Sequence, residues 1–339
     1  ASATLTQLLF DGSYLVGLQS AKVFLEISIN AKEKTDLEIR KAVISTYSNV
    51  ILSEETIGIL ENNKAVLQKN LNETLKIYEN GLTEEESVEQ LQITLANIES
   101  ALLNAQRIKL IAYQMFNLSL GLDLNTPVTI NENLEELVFK NINLNLIEDQ
   151  AEIENNVDFK IAQNDKESKE LLLKLEQSKF LPSLTAFING GYIANSDGFT
   201  FANSDQKWFG SSLLGVSMNV PVFSSFSRKA STQRAKIEFD KASEFLTETE
   251  EQLRLEIATA KSNYEYAIQQ YQTSKQNLNL AERIEMKNQT KFFEGITTSF
   301  DLRQAQMQLY GSQQEYLQAM IDVINRKADL ESVLNKIEN

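Results

Sequence analysis

The sequence predicts a mainly α-helical protein built from long coiled-coil hairpins, with a smaller part made of amphipathic β-strands. Three observations lead to this prediction: glycine and proline are scarce, a segment with heptad spacing occurs twice, and short alternating segments precede the long helices. Together they favour long uninterrupted helices over the many short elements of a compact enzyme.

The scarcity of chain-breaking residues is the first observation. The 339 residues include only 12 glycines and 3 prolines, so regular elements must run far between breaks. With 42% hydrophobic and 23% charged residues, the chain is too apolar to be wholly disordered. We therefore expect a folded protein with unusually long helices.

Charge and composition exclude several function classes. The formal net charge is −15 and lysine and arginine do not cluster, which argues against any nucleic-acid partner. Cysteine and histidine are absent, so the commonest metal ligands and catalytic groups are missing. We predict no enzyme, no cofactor and no metal site. No apolar stretch reaches the roughly 18 residues of a membrane-spanning helix, which leaves a soluble protein or a β-barrel.

An internal repeat is the second observation. Residues 78–83 (YENGLT) recur as residues 292–297 (FFEGIT), an offset of 295 − 81 = 214 residues. After the first copy, a 3-4 spacing connects Val88, Leu91, Leu95, Ile98, Leu102, Ala105, Ala112 and Phe116. After the second copy, the same register falls on Leu302, Ala305, Leu309, Ser312, Tyr316, Ala319, Arg326 and Leu330, of which Ser312 and Arg326 are polar.

Heptad spacing also precedes the second turn. It connects Ala235, Phe239, Ala242, Leu246, Tyr264, Ala267, Tyr271, Ser274, Leu278 and Ala281, with a four-residue slip between Leu253 and Ile257. Each copy therefore predicts helix, glycine turn and antiparallel helix, and a helix of about 67 residues from Tyr14 to Asn80 would be on the order of 100 Å long. A cytosolic coiled-coil scaffold or tether would show the same periodicity.

Alternating segments are the third observation. Along Leu214–Val222 every second residue is large and apolar, and Ala1, Ala3 and Leu5 take the apolar places at the start of the chain. A strand that is apolar on one face and continuous with a long helix suits a barrel wall between lipid and water. An amphipathic strand of a soluble sheet is the alternative. Turn-like kinks follow both strands, at 9–12 and 222–225.

A helix is predicted to end at Pro182, followed by a strand through Tyr192 and an exposed loop over 193–212. The aromatic residues of that loop are Phe199, Phe201, Trp208 and Phe209. Tyr192, Trp208 and Phe209 would suit an aromatic belt at the lipid headgroups, although buried loop aromatics are as common.

The duplicated order of strand, kink, long helix, Gly-Leu-Thr turn and long helix resembles the TolC-like outer-membrane factor (outer membrane efflux protein) family over nearly the whole chain. The two turns, residues 180–184 and residues 220–223 are the most specific matches. Residues 156–159 (NVDF) stand where the family has Arg-Pro-Asp-Leu, and Leu8 replaces a proline before Phe10.

The resemblance implies a fold: a homotrimer whose strands close a transmembrane β-barrel and whose helical hairpins form a hollow α-helical barrel. Residues 1–122 would be the first repeat, 123–154 an equatorial linker and 155–339 the second repeat. By comparison with the second repeat, the first lacks an N-terminal helix and strand, so any signal peptide or lipid-anchored cysteine would precede residue 1.

The resemblance also implies a function: the exit channel of a tripartite efflux pump or type I secretion system in the Gram-negative outer membrane, with helices extending into the periplasm. Its partners would be outer-membrane lipid, a periplasmic adaptor (membrane fusion) protein and an inner-membrane transporter. The adaptor-docking tips would be Gly81, Leu82, Thr83, Gly295, Ile296 and Thr297, and a periplasmic gate would involve Asp301 and Gln304. The glycines also suit any turn that needs positive φ, and Asp301 also suits a helix N-terminus. The sequence does not identify the cargo.

Overall fold

The computed structural model describes residues 1–148, 152–198, 200 and 203–336. Phe199 and Phe201 of the predicted loop lie outside the described residues. The strands are β1 (Ser2–Phe10), β2 (Ser183–Ile193) and β3 (Phe209–Asn219). The helices are α1 (Gly12–Glu79), α2 (Glu85–Ser119), α3 (Leu134–Asn141), α4 (Asn145–Glu148), α5 (Val157–Ser178), α6 (Ser227–Phe293) and α7 (Ser299–Val333), with a short 3-10 turn at Ile153–Asn155.

The helices on either side of the two glycine turns have matching lengths. Helices α2 and α7 are both 35 residues long, and their bounds are related by the same offset, 299 − 85 = 214 and 333 − 119 = 214. The helices before the turns are also alike, with 68 residues in α1 and 67 in α6. The scarcity of glycine and proline thus corresponds to helices of this length.

Contacts group the chain into two compact units that take segments from both repeats. The strand unit consists of Ala1–Glu33 and Val157–Gln252, and the helical unit consists of Lys34–Asn156 and Leu253–Asn339. Helices α1 and α6 contribute residues to both. None of the described helices combines the length and the apolar character that crossing a membrane requires.

The strand unit contains an antiparallel sheet in the order β1-β2-β3. Its register aligns Leu5 with Ile188 and Ile188 with Leu214, so these side chains share one face. We call this the apolar face, whose members are Ala3, Leu5, Gln7, Phe10, Leu184, Ala186, Ile188, Gly190, Tyr192, Gly210, Ser212, Leu214, Val216 and Met218. The opposite, mixed face carries mainly Ser, Thr, Asn and Gly, together with Leu8, Phe187, Ile193, Phe209 and Leu213.

The bounds of β3 differ from those predicted from alternation. The strand begins at Phe209, within the predicted loop of 193–212, because residues 209–213 pair with the end of β2. It ends at Asn219 rather than at Val222. Pro221 follows, and proline lacks the N–H that a ladder needs.

Hydrogen bonds and a backbone kink position the helices of the strand unit. The Asp11 carboxylate accepts hydrogen bonds from the backbone N–H groups of Ser13 and Tyr14, at 2.7 and 3.1 Å, and so caps α1. Further along, a buried Asn30–Asn164 amide hydrogen bond joins α1 to α5. Ser225 and Phe226 take positive φ angles of 49° and 65° in the kink before α6.

The helical unit buries the predicted seam of the hairpins. Val88, Leu91, Leu95 and Ile98 form one core cluster with Leu67 and Leu71 of α1. A second cluster includes Tyr264, Ala267, Tyr316 and Leu330. Arg326 is an exception, because it is exposed and pairs with Asp329 at 3.1 Å, while Val323 and Ile324 are buried in its place. Burial of the Arg326 guanidinium in the seam would carry a large desolvation cost.

The linker between the repeats docks on the helical unit through α3. The buried Tyr264 hydroxyl donates to the Asn141 carbonyl at 2.6 Å and accepts from the Asn143 N–H at 2.9 Å. Tyr316 donates to Glu135 at 2.8 Å. Apolar contacts of Leu134 and Val138 complete the docking. Local periodicity in the linker does not show these contacts, which depend on helices more than 100 residues away in the chain.

Candidate functional site

Both glycine turns have the same backbone geometry. Gly81 and Gly295 adopt φ angles of +73° and +71°. A residue with a side chain would be strained in this backbone conformation. At the first turn the Gly81 N–H bonds to the Tyr78 carbonyl and the Leu82 N–H to the Ile77 carbonyl, at 2.8 and 3.0 Å. The second turn repeats the pattern after α6. This is the Schellman arrangement, which satisfies the last carbonyls of each helix.

The residue after each glycine is apolar and exposed. The exposed fraction is 78% for Leu82 and 68% for Ile296. In a Schellman turn this position often packs back on the helix, but here neither side chain is buried by the turn. The turn does not require an exposed apolar side chain at this position. Leu82 and Ile296 are therefore available to contact a partner surface.

The two tips differ at the start of the next helix. At the second tip Thr298 caps α7: its hydroxyl accepts from the Asp301 N–H, and the Asp301 carboxylate accepts from the Thr298 N–H, both at 3.2 Å. This reciprocal capping box is complete. At the first tip Glu84 is the N-cap of α2 and makes no side-chain cap. Three consecutive glutamates, residues 84–86, follow Thr83 there.

The Asp301 carboxylate receives more hydrogen bonds than the capping box requires. Oδ2 of Asp301 also accepts from the hydroxyls of Thr298 and Thr297, each at 2.7 Å. The hydrogen bonds from Thr298 and then from Thr297 lower the pKa of this carboxyl, and Lys291 adds to the effect. Gln304 lies one turn further along α7 and is exposed. Asp301 is therefore the acidic partner of Thr298 in the capping box of α7, and its predicted gate role stays a prediction.

Partly buried amide pairs join the helices of the two repeats in the helical unit. Asn63 of α1 donates to Gln313 of α7 at 2.8 Å. Closer to the tips, Gln289 of α6 donates to Asn70 of α1 at 2.9 Å. Because each hydrogen bond forms only when its two residues lie opposite one another, these pairs favour one register of the hairpins over others.

The sheet provides a second candidate surface. Leu5, Ile188 and Leu214 lie on the apolar face and are 72%, 53% and 75% exposed. Of the predicted aromatic belt, Tyr192 lies on the apolar face and Phe209 on the mixed face, at the same end of the sheet. Trp208 directly precedes β3. Phe209 therefore does not share a face with Tyr192, because adjacent pleat positions point in opposite directions.

Sequence reasoning missed two features of the tips. The Thr298 cap has a local signal, a threonine three residues before an acidic residue at the start of a helix. The Thr297–Asp301 hydrogen bond has no comparable signal, because a four-residue separation at a turn permits many side-chain arrangements.

A family model described as outer membrane efflux protein matches residues 150–336. The chain belongs to the outer membrane efflux protein family. This family membership assigns it to efflux at the outer membrane, in agreement with the resemblance seen in the sequence. A search of curated protein sequences finds no significant match.

Solved outer-membrane channels share the fold. VceC from Vibrio cholerae aligns with a TM-score of 0.81 and 16% identity over 99% of this chain and 79% of its own. CusC, described in connection with transmembrane channel formation, aligns with a TM-score of 0.85 and 15% identity, over 98% and 76%. The CmeC outer membrane channel of Campylobacter jejuni aligns with a TM-score of 0.78 and 16% identity, over 98% and 70%. At sequence identities of 15–16%, these alignments show only that the fold is shared.

Proposed function

We propose that this member of the outer membrane efflux protein family is the exit channel of a tripartite efflux pump or type I secretion system. Three copies would form a homotrimer in the Gram-negative outer membrane, with helices extending into the periplasm. The observation that carries the proposal is the exposed apolar face of a sheet whose outer strands, in the described part of the chain, each pair only with β2.

An apolar face is unfavourable in water, and open strand edges are unfavourable in lipid. Leu5, Leu214 and Val216 expose apolar area that lipid would cover, and each unpaired backbone group in lipid would cost several kcal/mol. Closure of the sheets of three copies into one barrel removes both costs, because the open edge strands of neighbouring copies can then pair. The mixed face, with its Ser, Thr and Asn side chains, would then line the water-filled interior.

The tips would be the docking points for the periplasmic adaptor. This proposal is supported by an exposed apolar residue on a hydrogen-bonded turn at each tip, Leu82 at the first and Ile296 at the second. Burial of a leucine or isoleucine is worth about 1.5–3 kcal/mol, so these two positions would supply much of the apolar contact at each tip. Gly81 and Gly295 make the turn possible, and Thr83 and Thr297 flank it.

The gate would lie beside the second tip. In a trimer, three Asp301 carboxylates around one axis would repel one another and attract cations. Gln304, one turn away, would form a neutral ring at the next level. The channel would then be most restrictive to anions at the level of Asp301.

The docking proposal is tested by Leu82→Ser and Ile296→Ser, with Ile93→Ser as the matched control because Ile93 is 60% exposed on α2 away from the turn. Each variant replaces the native copy in cells, and export is measured by the accumulation of ethidium. We expect both tip variants to reduce export while the amount of detergent-extracted trimer stays unchanged. Tip variants that export as well as Ile93→Ser would contradict docking at these residues.

Cell fractionation tests the channel itself against a soluble coiled-coil scaffold. A channel is recovered from the outer-membrane fraction as a trimer and only with detergent. Recovery of the full-length protein as a soluble rod without detergent would refute the proposal.

A further inference from the structure

We propose that Thr297 is a positioning residue for the Asp301 carboxylate, so that one of the two predicted tip threonines serves the gate rather than the docking surface. The inference rests on the proposed gate role of Asp301 and extends it to a residue outside α7. The hydrogen bond between the Thr297 hydroxyl and Asp301 Oδ2, at 2.7 Å, carries it.

This hydrogen bond is additional to the helix cap. Thr298 already completes the capping box with Asp301, through its hydroxyl and its N–H. Thr297 precedes the capping residue Thr298 and directs its hydroxyl at the same oxygen. Two threonine hydroxyls and one backbone N–H therefore converge on Oδ2, which fixes where the negative charge lies.

The first tip provides an internal comparison. Thr83 occupies the place of Thr297, but the position equivalent to Asp301 is Ser87, since 301 − 214 = 87. The Thr83 hydroxyl lies 3.3 Å from the Ser87 hydroxyl, and Ser87 is buried. The same threonine thus meets a neutral, enclosed partner at one tip and an exposed carboxylate at the other. A purely docking role would not require this difference.

The charged surroundings of Asp301 indicate why a second donor matters. Lys291 at the end of α6 acts on the carboxylate directly, while Glu294 in the turn and Arg303 on α7 are the other charged groups nearby in the chain. In a trimeric ring, repulsion between three carboxylates favours their protonation, and hydrogen bonds to the ionised form oppose it. Removal of the Thr297 hydroxyl should therefore raise the pKa of Asp301.

The sign of the effect follows directly. A raised pKa means that the ring loses its charge at higher pH as the solution is acidified. If the aperture current depends on that charge, the acid transition of the conductance moves towards higher pH in Thr297→Val. Thr297→Ser keeps the hydroxyl and should restore the original profile.

The experiment measures single-channel conductance in planar bilayers between about pH 3 and pH 7, a range chosen around the ordinary aspartate pKa of about 3.9. The proteins are the unaltered trimer, Thr297→Val, Thr297→Ser, Asp301→Asn, the double variant Thr297→Val/Asp301→Asn and the matched variant Thr83→Val. We expect an upward shift of the transition only in Thr297→Val, and no transition in Asp301→Asn. Trimer recovery on size-exclusion chromatography confirms that each variant has assembled.

The outcomes separate this inference from the proposed function. A profile that Asp301→Asn leaves unchanged removes Asp301 from the aperture and overturns its proposed gate role together with this inference, whereas the channel proposal would remain. A profile that depends on Asp301 but not on Thr297 overturns the positioning role alone. An equal shift in Thr83→Val, or a shift that persists when Thr297→Val is combined with Asp301→Asn, also overturns it, because Thr297 would then act on something other than the carboxylate.

Discussion

Leu213 and Leu214 offer a direct test of which side of the sheet meets lipid. They are consecutive in β3 and are 60% and 75% exposed, but they lie on opposite faces. Leu214 aligns with Ile188 on the apolar face, and Leu213 aligns with Asn189 on the mixed face. Asn189 itself donates to the Thr4 hydroxyl at 2.6 Å, which gives the mixed face a polar character at this level.

The magnitude follows from the position of Leu214 in the strand. It is the central residue of the 11-residue strand Phe209–Asn219, so a barrel strand would place it near the middle of the bilayer. A lysine on the lipid face there costs about 2–4 kcal/mol, and three copies in a trimer raise the total to roughly 6–12 kcal/mol. Leu213→Lys would place its charge in the water-filled interior and should cost little.

The assay compares Leu214→Lys and Leu213→Lys in the outer-membrane fraction. Heat-resistant trimer on gels reports assembly, and urea unfolding in lipid vesicles reports stability. We expect Leu214→Lys to lower both and Leu213→Lys to resemble the unaltered protein. If Leu213→Lys is the more harmful change, the assignment of the lipid face is wrong, and if both are harmless, the sheet does not meet lipid.

Two further predictions concern the helical unit and are measured as denaturant midpoints followed by the helical circular dichroism signal. Tyr264→Phe should lower the free energy of unfolding by about 2 kcal/mol, because two backbone groups lose a buried hydroxyl partner. Tyr266→Phe, at a 65% exposed position, should leave it unchanged. Equal effects of the two substitutions would contradict this prediction. Gly121→Ala should lower the free energy of unfolding by about 1 kcal/mol, because Gly121 has a φ of +71°. Gly58→Ala, within α1, should raise it by about 0.5–1 kcal/mol. Changes of the same sign in both variants would contradict the backbone argument.

Most of the helical architecture was predictable because its signals are local and repeated. Heptad spacing located most of the buried positions of α2, and the recurrence of one turn segment at 214 residues predicted two helices of equal length. The exception, Arg326, was already polar in the predicted seam. Strand bounds were less accurate, since alternation does not show where pairing with β2 begins and ends.

The candidate site was predictable only in part. The positive φ of Gly81 and Gly295 and the exposure of Leu82 and Ile296 agree with the tips predicted from the repeat. Their docking role remains a prediction. The contact of Thr297 with Asp301 could not be predicted, because threonine at that position is equally compatible with a hydroxyl directed at solvent or at a partner.

The sequence by itself determined the length of the helices and the place of the tip turns, because each depends on residues within a few turns of one another. It also showed the repeat, because the same local pattern recurs 214 residues later. Only the tertiary structure decided which side chains share a sheet face, how the linker docks and which amides pair between the repeats. The Asn70–Gln289 hydrogen bond joins residues separated by 219 positions, and the register of β1 on β2 joins residues about as far apart. Such pairings are selected by burial and hydrogen-bond satisfaction in the folded chain, to which local periodicity is insensitive.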